Sequence, residues 1–203
     1  MKIIKFRQRS KQVFAKFYTF LIKSEFYSLG RSKIYPSVKI MGARHIEIGN
    51  NVIVQENSWL YALPEEKGYK PIIIINDDVY LGHQLHLTAI NTVIIEKNVL
   101  IADRVYISDN IHNYEDINKP IKDQGVSYKG EVIISENCWI GENVCIIGAS
   151  VGKNSVVSAN AVVTRNIPPF CVAAGIPARI IKKYDFDTKK WRATNRNGEF
   201  LNG

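Results

Sequence analysis

A chain of 203 residues, 46% hydrophobic and 23% charged, has the size and balance of one globular domain with a sizeable core, and no stretch reaches the ~18 to 20 uninterrupted apolar residues that cross a bilayer. Its three cysteines, an odd number without paired spacing, exclude a disulfide framework and fit a reducing compartment, the cytoplasm. The net charge of +8 is local, because residues 1–33 hold nine Lys or Arg against the single acid Glu25 and the remainder carries 18 of each sign; without stacking aromatics on a recognised module, that distribution argues against nucleic acid as a partner.

The basic segment comes first. "MKIIKFRQRSKQVFAKFYTFLIKSEFY" places Phe6, Val13, Phe14, Phe17 and Leu21 at helical spacing, which predicts an amphipathic helix in the region 1–33, apolar on one side and basic on the other. Such a stripe packs on its own domain or a sister subunit, or rests on anionic lipid at the inner face of the cell membrane. The start lacks the hydrophobic run and small-residue cleavage site of a signal peptide.

From Ile48 onward an aliphatic residue recurs at every sixth position in triplets: Ile48, Val54, Leu60; Ile75, Leu81, Leu87; Ile95, Ile101, Ile107; Ile134, Ile140, Ile146; Val151, Val157, Val163. A helix repeats at about 3.6 residues and a flat strand at 2, so a period of six calls for a short strand plus a corner. Three such sides make a triangular coil with the aliphatic side chains stacked inward. "IGNN", "IGEN" and "VGKN" put Gly or Asn near the corners, where either tolerates the turn. The register breaks after Leu60, Leu87, Ile107 and Ile146, always after a third side, which gathers the irregular connections on one edge of the prism. The longest break, "SDNIHNYEDINKPIKDQGVSYKGEV", contains an excursion loop over 113–132; this loop and the segment 61–74 are expected to read an acceptor.

The stretch "NCWIGENVCIIGASVGKNSVVSANAVVTRNIPPFCVAAGIPARIIKK" resembles the closing section of the hexapeptide-repeat acyltransferases, in particular the galactoside, maltose and bacterial polysaccharide O-acetyltransferases, and the resemblance runs from about residue 40 to 183. It implies a mainly β fold, a left-handed parallel β-helix over 34–183, contrary to the usual right-handed crossover, followed by a polar extension over 184–203. It also implies a homotrimer with sites between subunits, acetyl-CoA as donor, and a hydroxyl of a sugar or of a capsule or lipopolysaccharide precursor as acceptor. N-acetylation of an amino sugar, acetylation of an antibiotic and a non-catalytic β-helical scaffold are the alternatives.

Acetyl transfer from a thioester to a hydroxyl needs a base, donors for the developing oxyanion and a cradle for coenzyme A. His112, a little under thirty residues ahead of "WIG", matches the family's catalytic base, and an ordinary imidazole accepts a proton at neutral pH. Many polysaccharide O-acetyltransferases carry His-x-His here, whereas this chain has Asn110 in the first place. Glu115 or Asp116 is near enough in sequence to orient the imidazole. Gln84, His86 and Asn91 fall in the stretch that faces the acceptor in similar sugar acetyltransferases, and with Asn113 they are the hydroxyl-binding candidates. His83 and His86 do not reproduce the three-histidine zinc spacing of the hexapeptide carbonic anhydrases, so no metal is expected. On the donor side the resemblance assigns Trp139 and Ala159 to the pantetheine arm, Gly141 to the cofactor cleft, and Thr164, Arg165, Arg179 and Lys182 to the adenine and phosphates, where cations suit the ligand's charge. The family's serine after "WIG" is Glu142. Cys138, Cys145 and Cys171 lack a partner that would activate a thiolate, and packing is the expected role of Cys138.

Overall fold

A computed structural model describes residues 2–63, 68–195 and 198–201, with the backbone alone for residues 2–8. The period of six appears directly in the strand pairing. Ile48, Ile75, Ile95, Ile134, Val151 and Ile167 stack in parallel register on face 1. Val54, Leu81, Ile101, Ile140, Val157 and Ala173 do so on face 2, and Leu60, Leu87, Ile107, Ile146 and Val163 on face 3. Every one of the fifteen triplet residues is at most 2% exposed, so each contributes about 1.5 to 3 kcal/mol of burial. The chain passes from face 1 to 2 to 3 and back, forming a parallel three-sided coil.

Pairing begins at Ser28–Leu29 against Glu47–Ile48, ahead of the boundary expected at 34. A first coil over 28–41 therefore precedes the periodic ones. It escapes the six-residue pattern because Leu29 and Ile34, inward on successive faces, are five residues apart.

The corners divide the labour between Asn and Gly in a way the sequence motifs blur. At the edge between faces 1 and 2 and the edge between faces 2 and 3, a residue with φ near +60° stands three after each inward aliphatic: Asn51, Asn57, Asp78, Gln84, Asn98, Arg104, Asn137, Asn143, Asn154 and Asn160. Asn and Asp tolerate this left-handed conformation better than other non-glycine residues. The glycine of the motif serves a different need. A Cβ on Gly82 would come within 2.5 Å of the Ala102 carbonyl of the next coil, and one on Gly141 within 2.6 Å of the Ala159 nitrogen. Glycine here permits coil-on-coil approach, and the expectation that it makes the turn is corrected.

The third edge, between faces 3 and 1, is irregular throughout. It carries a short helical turn at Ala43–His45, the segment 63–71, a tight corner at 90–91 and the long excursion. The segment expected at 61–74 is shorter than that, since Trp59–Ala62 and Ile72–Ile75 are strands, and residues 64–67 lie outside those described.

The helix α1 (Lys2–Ile22) docks on the first coil with an unexpected side. Ala15 is fully buried and Thr19 is 4% exposed. The Thr19 hydroxyl donates to the Ala15 carbonyl at 2.7 Å and accepts from the Ile34 N–H at 2.8 Å. Val13, Phe14, Phe17 and Leu21, together with Phe20, stand 56–74% exposed; the side chain of Phe6 lies outside those described. Small residues let the helix backbone approach the strand Lys33–Ile34, so the apolar stripe faces away from its own domain. Among the described residues no helix is long and apolar enough to cross a membrane.

At the other end, the extension expected from 184 is continuous with the coil. Arg179–Asp185 and Lys190–Ala193 add two antiparallel strands to face 2. The turn between them is tied by Asp185, whose carboxylate accepts from the Arg192 guanidinium at 2.8 Å and from the Asp187 N–H at 2.9 Å. Arg192 first, and then the backbone donors, hold that carboxyl down at about 2.

Candidate functional site

The long excursion is an anchored hairpin. After Ile107 the chain leaves face 3 through Asp109, a fully buried residue. Its carboxylate accepts from the backbone N–H groups of Ile90, Asn91 and Thr92 at 3.0, 2.7 and 2.9 Å and from the Asn110 amide at 2.8 Å. Its carbonyl accepts from the Lys129 N–H at 2.7 Å on the returning side. One side chain thus joins both ends of the excursion to the preceding corner and supplies acceptors for donors that would otherwise be orphaned. The strands Asn110–His112 and Val126–Tyr128 pair antiparallel. Beyond them Asn113 clasps the tip, its amide donating to the Gln124 carbonyl at 2.9 Å and accepting from Ser127. Gln124 itself bonds Asp116 and Lys119. Sequence reasoning missed Asp109 and Gln124. The available signal was an acid immediately after the last residues of a third side, where the coil should have turned.

His112 sits at the end of the outgoing strand with its side chain exposed and without a hydrogen bond among the described residues. Neither proposed orienting acid reaches it, for Glu115 accepts from the Tyr114 N–H at 3.1 Å and Asp116 from the Asn118 N–H at 2.9 Å. Asn110, in the place of a second histidine, is 6% exposed and turned toward Asp109. It belongs to the anchor of the hairpin.

The acceptor candidates spread over face 3 and its two borders. Gln84 is a left-handed corner residue on the edge between faces 2 and 3. His86 lies on the outer surface of face 3, where Trp59, Tyr106 and Tyr61 surround it at centroid distances of 4.5, 5.3 and 6.0 Å. Burial among these rings lowers its basicity below the usual histidine range. Asn91 lies at the corner beneath the hairpin, its backbone held by Asp109 and its side chain by Thr92 at 3.3 Å. Asn113 is engaged at both ends of its amide, as described. His83 stands between Asp103 and Glu56, at 3.3 and 3.9 Å. Among the described residues no group of three or more His, Cys, Asp or Glu is placed to hold a metal.

The donor-side candidates rise along face 2 and toward its border with face 3. Trp139 points outward at 51% exposure, Gly141 abuts Ala159 of the next coil, and Gly175 and Ala178 close on Val162 just before Arg179. Lys182 follows, paired with Val172 on face 2, whereas Thr164 and Arg165 lie on the third edge. Arg165, Arg179 and Lys182 form no ion pair among the described residues, so their charges are available to phosphate. Glu142 is ion-paired with Arg104, which also bonds Asn143 at 2.8 Å. Cys138 donates to the Gly152 carbonyl at 3.1 Å, and burial pushes its thiol up to about 11. A thiol held protonated in this way is no nucleophile.

In a single copy, then, the hairpin bearing His112 leaves from the edge between faces 3 and 1, whereas Trp139, Gly141, Ala159 and Arg179 lie on face 2 or toward its border with face 3. They do not form one closed pocket.

Comparison with known proteins gives the same repeat. Residues 131–165 match the family model described as the hexapeptide repeat of succinyl-transferase. The chain is 36% identical over 127 residues to the putative lipopolysaccharide biosynthesis O-acetyl transferase WbbJ of Escherichia coli, a match covering 59% of this chain and 65% of that one. It is 37% identical over 131 residues to the galactoside O-acetyltransferase of the same organism, covering 64% and 63%. The chain thus spans a little under two thirds of each relative. In fold it is similar to AntD, an N-acyltransferase from Bacillus cereus in complex with dTDP and 3-hydroxybutyryl-CoA, with a TM-score of 0.68, 21% identity and coverage of 84% and 90%.

Proposed function

We propose that this chain, whose residues 131–165 match the hexapeptide-repeat model, is an acetyltransferase that moves the acetyl group of acetyl-CoA to a hydroxyl of a sugar or cell-surface glycan precursor. The observation that carries this reading is His112, an imidazole without a hydrogen bond among the described residues, on a hairpin that a buried carboxylate fixes to the coil. The acceptor hydroxyl gives its proton to the His112 imidazole as its oxygen attacks the thioester carbonyl. A backbone N–H near the hairpin stabilises the oxyanion, and the collapsing intermediate expels the coenzyme A thiolate, which takes the proton back from the imidazolium. Transfer is direct, without an acyl-enzyme. Trp139, with Gly141 and Ala159, lines the pantetheine arm; Thr164, Arg165, Arg179 and Lys182 face the adenine and phosphates. Gln84, His86, Asn91 and Asn113 border the acceptor.

The coil is left-handed and the working unit a homotrimer, in which the hairpin of one copy meets the edge between faces 2 and 3 of its neighbour. This supplies what one copy lacks. Co-refolding His112→Ala with Trp139→Ala chains restores activity if the site is shared, and two inactive variants that stay inactive when mixed refute the sharing.

The enzyme works in the cytoplasm at the membrane surface. The exposed Val13, Phe14, Phe17, Phe20 and Leu21 lie beside a cleft of about 630 Å³ lined by Lys16, Lys23, Arg31 and Lys33 and by no acid. Apolar side chains bordered by cations fit an anionic lipid surface. Co-sedimentation with phosphatidylglycerol vesicles, lost in Phe17→Ser/Phe20→Ser, tests this; equal sedimentation of both forms refutes it.

The activity is tested by following coenzyme A thiol release from acetyl-CoA with sugars and amino sugars in parallel. Turnover on hydroxyl acceptors is expected, and turnover confined to amines identifies the N-acyl reading that the likeness to AntD favours. No acetyl-CoA binding by calorimetry rejects both.

A further inference from the structure

Face 3 carries a row of aromatic rings that the core does not need. Its outward positions stack in register as Lys39, Trp59, His86 and Tyr106 over four successive coils, with Tyr61 two residues along from Trp59. Trp59 and Tyr61 are stacked, their centroids 5.3 Å apart and their planes 18° apart. His86 stands edge-on to Trp59 and to Tyr106. All four rings are half-buried, so each keeps a surface open to solvent. The row is uncharged apart from the Lys39 ammonium, 4.6 Å from the Trp59 ring centre.

We infer that Trp59, Tyr61, His86 and Tyr106 form a carbohydrate-binding shelf that holds neutral sugar rings beyond the one being acetylated, so that the acceptor is an oligosaccharide. The inference rests on the sugar acceptor proposed above. Pyranose rings present an apolar C–H face and a rim of hydroxyls, and aromatic side chains with polar edges match both. At the ~4.8 Å spacing of neighbouring strands, the three coils from Trp59 to Tyr106 span about 10 Å, enough for two rings in line. The shelf starts on the strand Tyr106–Ser108, from which the hairpin leads to His112, and it runs toward the first coil. A glycan with its reacting hydroxyl at His112 therefore lays its next units on Trp59 and Tyr61. A nucleoside diphosphate fits this surface poorly, because the row offers one cation, already placed against a ring.

The probes are neutral mono-, di- and tetrasaccharides of glucose, galactose and N-acetylglucosamine, with saturation-transfer NMR for binding, acetyl-CoA turnover for kcat/KM, and sedimentation velocity for oligomeric state. In at least one series kcat/KM rises roughly tenfold from mono- to tetrasaccharide. Trp59→Ala removes most of that increment, and Trp59→Phe restores it, as expected for ring contacts of this size. Length-independent kcat/KM, an increment that survives Trp59→Ala, or a change of oligomeric state in Trp59→Ala each overturns the shelf. The two readings separate cleanly. Tetrasaccharide binding lost in Trp59→Ala, without acetyl-CoA turnover on any sugar, sinks the activity and keeps the shelf; turnover without length dependence does the reverse.

Discussion

Two edges of this prism turn the same way at almost every coil, and the third turns differently each time. At the regular edges an Asn, or another residue in the same left-handed conformation, stands three after each inward aliphatic, and a Gly or small residue lets the next coil close on it. At the third edge the connections include a helical turn, the stretch between the strands ending at Ala62 and starting at Ile72, a tight corner and a hairpin. Local rules suffice for the regular edges, because each corner needs only its own residues and the coil beside it. The third edge needs a long-range tie, from Asp109 back to Ile90, Asn91 and Thr92. Repetition makes the scaffold, and its interruption carries the residue proposed for the chemistry.

If that division is right, damage at the irregular edge is costly in stability and activity together. Asp109→Ala leaves one buried and two partly buried N–H groups without their acceptor and is expected to destabilise the fold by about 3 kcal/mol. It also loosens the hairpin, so acetyl transfer falls further than the lost stability accounts for. Thermal melts together with turnover of the folded fraction check this. A variant with wild-type melting and turnover removes the anchor from the account.

The same test at a regular edge gives a smaller, purely local effect. Asn160→Ala, in the left-handed conformation, costs about 1 kcal/mol, and Asn160→Gly costs less. Chemical denaturation of the pair resolves the difference, and the opposite ranking contradicts the role given to Asn. Smallest of all is a contrast in reactivity inside the coil. With its thiol pushed up to about 11 by burial, Cys138 resists iodoacetamide at pH 8 while outward Cys145 reacts. Equal labelling of the two in the native protein would place Cys138 outside the core.

The same contrast explains what could be read from the sequence. The fifteen inward aliphatics and the gathering of breaks on one edge were legible because a period of six admits one geometry. The first coil was hidden by the five-residue step from Leu29 to Ile34. The docking side of α1 was hidden because an apolar stripe suggests burial, whereas Ala15 and Thr19 permit the closer approach. The position of His112 at the largest break was legible too. Its surroundings were not: Asp109, Asn110, Asn113 and Gln124 read as loop polarity, and their roles follow from contacts with residues distant in sequence, such as Ile90 and Lys129 for Asp109. Nor did spacing show that Trp139 stands on face 2, away from the edge that carries His112.

The most direct test of the account is acetyl-CoA turnover on a sugar acceptor by wild type and His112→Ala, with acetyl-CoA binding followed in parallel by calorimetry. Loss of a general base lowers turnover by about 10²- to 10⁴-fold. The account predicts a loss in that range with acetyl-CoA affinity and melting temperature retained. Turnover of His112→Ala within a few-fold of wild type would contradict it.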